Sequence, residues 1–127
     1  MQKLVFHKDL EDGRWFKMTI EDQMGNIGSE VYRALNWHKK HEPVHFRQAF
    51  DRALELFDIT RHDPRWNSNR KREIGRAREV FCDFFFGGNQ YHSTPESLDK
   101  YFLWFAMVAN SERRRSAVAG KDSSILR

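Results

Sequence analysis

The segment Thr19-Ile-Glu-Asp-Gln-Met-Gly-Asn-Ile-Gly-Ser-Glu-Val-Tyr-Arg-Ala-Leu35 decides how the rest of the chain is read. Ile20, Met24, Ile27, Val31, Ala34 and Leu35 recur at steps of three and four, which is one apolar stripe along an α-helix. Thr19 predicts the N-cap, and Glu21 and Asp22 suit the positive end of the helix dipole. Gly25 and Gly28 lie inside this helix, where each costs about 1 kcal/mol relative to alanine. Close approach of a second helix is the expected compensation.

Working outward, the pattern fades at Lys39-Lys40-His41, and Pro43 is suited to restart the chain at a first helical position. A second stripe follows in Phe46, Ala49, Phe50, Ala53, Leu56 and Phe57. Arg47 and Asp51 on its solvated back are spaced for an ion pair. Residues 60–69 have no apolar period, and Asp63-Pro64 with the Asn/Ser cluster predicts a loop. A third helix is expected from about Arg70 to Phe86, with Ile74, Ala77, Phe81, Phe84 and Phe85 inward and Gly87-Gly88-Asn89 as its stop. The fourth opens either through a Ser93–Glu96 capping box or at Thr94-Pro95. Its stripe is Leu98, Tyr101, Phe102, Phe105, Val108 and Ala109, widened by Trp104 and Met107.

Four amphipathic helices with short connections predict an all-α, four-helix bundle. The expected organisation is an N-terminal arm over 1–16, the bundle over 17–112 and a basic, flexible tail over 113–127. The arm holds Leu4-Val5-Phe6 and Trp15-Phe16 around the turn dipeptide Asp12-Gly13, so a short hairpin is the other option for it. The longest apolar run, Tyr101 to Ala109, is far short of the roughly 20 residues that a membrane span needs, so no membrane partner is expected. The start carries no secretory signal pattern. With one cysteine, Cys82, no internal disulfide can form, and a reducing cytoplasm is the expected location.

The formal charge of +4 is unevenly spread. Residues 1–60 carry nine basic and ten acidic side chains; residues 61–127 carry thirteen and eight. Between positions 65 and 78, Arg65, Arg70, Lys71, Arg72, Arg76 and Arg78 face Glu73 as the one acid. Such a cluster attracts polyanions, and Trp66 beside it adds a stacking surface. Arg65, Trp66, Arg70, Lys71, Arg72 and Arg76 are therefore the candidate nucleic-acid-binding residues. Arg78 borders the apolar stripe, and pairing with a carboxylate such as Asp58, a structural role, is the other reading of it. Trp66 has a second reading, as a lid on the bundle end. No helix-turn-helix spacing, ribonucleoprotein aromatic motif or zinc-finger cysteine pattern is present, so contact with the RNA or DNA backbone is expected to dominate over base reading.

Other chemistry finds less support. His38, His41 and His45 with Glu42 include one Glu-x-x-His spacing, but the second copy that a di-iron bundle needs is missing, so no metal is expected. Cys82 has no partner motif for nucleophilic catalysis, and no glycine-rich phosphate loop or cofactor motif occurs. Arg33 followed by His38 resembles the motif of HEPN-class helical ribonucleases. That resemblance implies proton transfer by His38 and charge stabilisation by Arg33 in attack of a ribose 2′-hydroxyl on phosphate. Ala34 stands where that class places a polar residue. The aromatic excess on the fourth helix marks Tyr101, Trp104 and Phe105 as candidate self-association residues, giving a homo-oligomer or a complex with another protein.

Gln23-Met-Gly-Asn-Ile-Gly-Ser-Glu-Val31, Ala49-Phe-Asp-Arg-Ala-Leu-Glu-Leu-Phe57, Arg76-Ala-Arg-Glu-Val80 and Tyr101-Phe102 resemble a group of small prokaryotic helical proteins without an established activity. In length, helix count and basic charge the chain is also similar to two kinds of four-helix bundle. One is encoded by intervening sequences of bacterial ribosomal RNA genes. The other is the ring-forming accessory protein of diversity-generating retroelements, which binds a reverse transcriptase and nucleic acid. The function expected on these grounds is a non-catalytic accessory or adaptor protein that self-associates and contacts nucleic acid. An RNA-cleaving enzyme and a purely protein-binding scaffold are the alternatives.

Overall fold

The computed structural model describes residues 4–125 of the 127-residue chain. Four helices follow one another: α1 (Ile20–Lys39), α2 (Pro43–Arg61), α3 (Ser68–Phe86) and α4 (Pro95–Ile125). The fold is the all-α four-helix bundle that the stripes predict, with no strand among the described residues. Successive helices run up and down, so the starts of α1 and α3 share one end with the finishes of α2 and α4. α1 packs along both α2 and α4, while α3 lies against α2 and leaves a groove between itself and α4.

Local chemistry sets the boundaries. The Thr19 hydroxyl accepts the Asp22 N–H at 3.1 Å, capping α1. Asn67 caps α3 by accepting the Arg70 N–H at 2.9 Å, two residues earlier than the charge pattern alone places the start. At α4 the cap is Thr94 rather than Ser93. The Ser97 N–H donates to Thr94 Oγ1 at 3.0 Å, and the Thr94 N–H donates back to Ser97 Oγ at 2.9 Å. Pro95 then occupies the first helical position, where its missing N–H has no helical partner to lose. α3 ends at Gly87, where a Cβ would stand 2.8 Å from both Cα and Oδ1 of Asp83. The buried Asp83 carboxylate accepts the N–H groups of Gln90 and Tyr91 and so folds the α3–α4 turn onto the helix it leaves.

The core is the sum of the stripes. Ile27, Val31 and Ala34 from α1 meet Ala49, Ala53 and Phe57 from α2, Phe81 from α3 and Phe102 from α4. Phe50 stacks on Phe81 at 5.0 Å between centroids, and Phe57 meets Phe102 at 6.0 Å. The two glycines of α1 are where α4 comes closest. A Cβ on Gly28 would lie 2.6 Å from Phe102 Cβ, and one on Gly25 would lie 3.3 Å from Ala106 Cα. The anticipated close helix approach is thus found, and α4 is the helix that makes it.

Residues 4–18 form the arm. It is neither extended nor a hairpin: two 3-10 turns, Lys8–Leu10 and Arg14–Lys17, lay Leu4, Leu10 and Trp15 into the core. Its start is held by Glu55 of α2, whose carboxylate accepts the N–H groups of Val5, Phe6 and His7 at 2.7–3.1 Å. Its end is held by Trp15, whose indole N–H donates to the fully buried Thr60 hydroxyl at 2.9 Å. The region expected as a tail continues α4 without a break. Residues 113–119 are all exposed, and the side chains of Lys121 and Arg127 lie outside the described residues.

Candidate nucleic-acid interface

The α2–α3 connection is built around a buried carboxylate. Asp63 is fully buried, and such a charge needs a partner and hydrogen bonds. It has both. Arg65 donates from its main-chain N–H at 3.0 Å, from Nε and from Nη2 at 2.7 Å, and Gln23 Nε2 of α1 donates at 2.9 Å. Burial alone would raise the Asp63 pKa. The hydrogen bonds from Arg65 and Gln23 outweigh it and hold the carboxyl below its usual value. The same contact raises the pKa of Arg65. Arg65 Nη2 also donates to the Met18 carbonyl at 2.6 Å.

Trp66 closes the cluster. Its indole N–H donates to Gln23 Oε1 at 3.1 Å, and the guanidinium carbons of Arg65 and Arg70 stand 4.3 and 4.9 Å from its ring centroid. With Gln23 Nε2 also reaching the Trp15 carbonyl at 2.9 Å, one network ties the arm, α1 and the α2–α3 loop together. No buried side-chain polar atom among the described residues lacks a partner. Arg65 and Trp66, two of the six candidate binding residues, are therefore engaged in holding the bundle end. For Trp66 this is the lid reading; its partner Gln23 is forty-three residues away, whereas the Asp63 that holds Arg65 is only two residues before it.

The remaining cations are open to solvent. Lys71, Arg72 and Arg76 are exposed, and none has a carboxylate within ion-pair distance among the described residues. Arg72 and Arg76 are one turn apart on α3, and Arg76 borders the groove toward α4. Arg78 is neutralised by Asp58 at 3.0 Å, as its position beside the stripe predicts. Arg61, at the end of α2, joins the group without having been anticipated. Its guanidinium lies 3.6 Å from where a Gly75 Cβ would be, in the space that a side chain on α3 would fill. A glycine on an outer helical face is the one sequence signal for it. The α4 extension adds exposed Arg114 and Arg115 at the same end of the bundle, beyond Arg113, which pairs with Asp22.

Arg33 and His38 do not converge. Five residues apart on one helix, they point about 140° away from each other. Arg33 pairs at 3.0 Å with Glu30, which also holds Arg52 of α2. The His38 ring packs against Phe46 and Phe85, at 5.3 and 5.1 Å. His45 stacks on Trp37 at 4.5 Å, and no group of three potential metal ligands occurs among the described residues. Burial pushes the Cys82 thiol up, which disfavours a thiolate nucleophile.

Of the self-association candidates, Tyr101 and Trp104 are exposed, but Phe105 is not. It is 8% exposed, because three residues after Phe102 it faces the core. Leu103 and Met107 are exposed in its place, at 52% and 60%. No helix among the described residues is long and apolar enough to cross a membrane. Comparison with protein-family models, curated proteins and solved structures finds no match for this chain. The fold and its basic end together define the class, a small up-down helical bundle.

Proposed function

We propose that this protein is a non-catalytic accessory or adaptor that docks on the backbone of RNA or DNA and associates with itself through α4. The carrying observation is a set of exposed cations without ion-pair partners among the described residues, Arg61, Lys71 and Arg72 where α2 ends and α3 begins, with Arg76 further along α3. Arg76 stands three residues from both Glu73 and Glu79, yet neither carboxylate is within pairing distance. Arg70, stacked on Trp66, extends the field. An unneutralised surface of this kind recruits phosphates and releases their counterions. The interface offers guanidinium and ammonium groups from a helix flank, and the sequence carries no base-reading motif beside them, so the reading is of backbone and not of sequence.

Fluorescence anisotropy with a labelled 20-nucleotide RNA and its DNA equivalent tests this. Four to six phosphate contacts on these single strands give a log–log salt slope of about −3 to −4. The double change Arg72→Glu/Arg76→Glu should weaken binding at least about tenfold, since each lost charge-assisted contact is worth on the order of 1 kcal/mol. Arg47→Glu, at the far end of the bundle, serves as the control and should leave binding unchanged. Absence of binding at 50 mM salt, or an affinity indifferent to salt, would reject the proposal.

A further inference from the structure

The outer face of α4 carries a second pattern. Ser97, Lys100, Trp104, Met107, Ser111, Arg114 and Val118 are all exposed and follow one another at alternating steps of three and four. That is the heptad spacing of a coiled-coil seam, and it lies opposite the stripe α4 buries against α1. Its centre is apolar: Trp104 is 58% and Met107 60% exposed, with Leu103 at 52% on one flank.

We infer that this seam pairs with a second copy of the same helix, antiparallel, about a two-fold axis between positions 105 and 106. The inference rests on the self-association part of the reading above and specifies its geometry. Charge decides the orientation. A parallel pair would set Lys100 against Lys100 and Arg114 against Arg114, both repulsive and both in the seam. The antiparallel pair separates them. In the stated register Trp104 packs on the partner's Met107, Lys100 faces the partner's Ser111 and Ser97 faces the partner's Arg114. Glu96, at the edge, meets the partner's Arg115, so two opposite-charge pairs flank the apolar centre. A shift of one heptad in one direction puts Trp104 against the partner's Arg114. The same shift in the other direction puts it against the partner's Lys100. The central register alone among the three joins the two large apolar side chains.

The area is consistent with a reversible dimer. Tyr101, Leu103, Trp104 and Met107, with the neighbouring Tyr32 of α1, expose on the order of 500 Å² per copy, against about 800 Å² per partner in a standard interface. Because the seam is isologous, pairing closes at two copies and does not propagate. It also places a basic bundle end at each extremity of the dimer, which doubles the phosphate-binding surface.

Sedimentation equilibrium should show a mass twice 15.3 kDa at about 100 µM chain. Trp104→Glu should return it to monomer, with an unchanged helical spectrum because Trp104 lies outside the core. Register is read by crosslinking in a Cys82→Ser background. Lys100→Cys chains mixed with Ser111→Cys chains should form a mixed disulfide, while neither forms one alone. A monomer at 100 µM would overturn the pairing and the self-association reading together. A dimer whose Lys100→Cys chains link to each other would overturn the antiparallel register alone. A dimer indifferent to Trp104→Glu would place the interface elsewhere and overturn the seam.

Discussion

Gly28 of α1 and Phe102 of α4 are in contact through the absence of a side chain: a Cβ on Gly28 would lie 2.6 Å from Phe102 Cβ. Neither atom is the end of a flexible group, so an added methyl must push the two helices apart. Gly28→Ala is expected to destabilise the fold by about 1–3 kcal/mol, even after the gain in helix propensity. Gly25→Ala, whose contacts with Ala106 start at 3.3 Å, should cost less than 1 kcal/mol or be neutral. Urea denaturation of the two variants checks the order; equal costs would contradict the geometry.

The Asp63 cluster makes a larger claim. Asp63→Ala leaves Gln23 and Arg65 without the acceptor they share, and Arg65 without its counter-charge. The expected loss is about 3 kcal/mol, a fall in Tm on the order of 10 °C for a domain of this size. Trp66 fluorescence should change with it, since Gln23 also holds the indole. A variant that melts within 2 °C or so of the native protein would show the network to be dispensable.

Glu55 links acid stability to the arm. Its burial alone would raise its pKa, but the N–H groups of Val5, Phe6 and His7 together hold it below 4.5. A lowered folded-state pKa means that stability is fully present above the unfolded value and is lost as pH falls through the folded one. Asp63 adds in the same direction below 3.8. Stability should therefore be flat with respect to these two groups above about pH 5 and fall below it. Glu55→Gln should lose part of that acid dependence and speed proteolysis near residues 4–10. Denaturation midpoints measured from pH 3 to 6 read the first effect, and limited digestion reads the second. An unchanged pH profile in Glu55→Gln would contradict the role given to this carboxylate.

At the α3–α4 turn, Asp83→Ala removes the acceptor of two main-chain N–H groups and should cost about 1–3 kcal/mol. Gly87→Ala drives a methyl toward the same aspartate. Because both act on one turn, the double variant should cost less than the sum of the singles, and a double-mutant cycle measures the difference.

Much of this was legible along the chain. The Thr19 cap, the Pro43 start, the Gly87 stop and the Arg47–Asp51 pair depend on spacings within a helix, and the place of Arg78 beside the stripe set it near a neighbouring helix, where it meets Asp58. The glycines of α1 announced a close contact but could not name the helix making it. Phe105 was misplaced because the apolar stripe of α4 is broad, and breadth does not say which edge is covered. Trp66 takes the second of its two readings, the lid on the bundle end, and the Gln23 that holds it comes from α1, forty-three residues away. Arg65 bonds Asp63 two residues before it; what the loop sequence does not show is that Asp63 is buried there, with Gln23 as a further donor.

The sequence by itself determined the elements: helix periodicity, caps and breakers act over a few residues, and each is written where it acts. It also determined that the charge excess lies in the second half of the chain. Only the tertiary structure decided which cations stay free, which aromatic rings face water, and how an arm without periodicity becomes part of the core. The arm and the bundle end are held by carboxylates that take donors forty or fifty residues away in the chain. Desolvation drives that selection, since a buried charge must be paired wherever in the chain its partner lies.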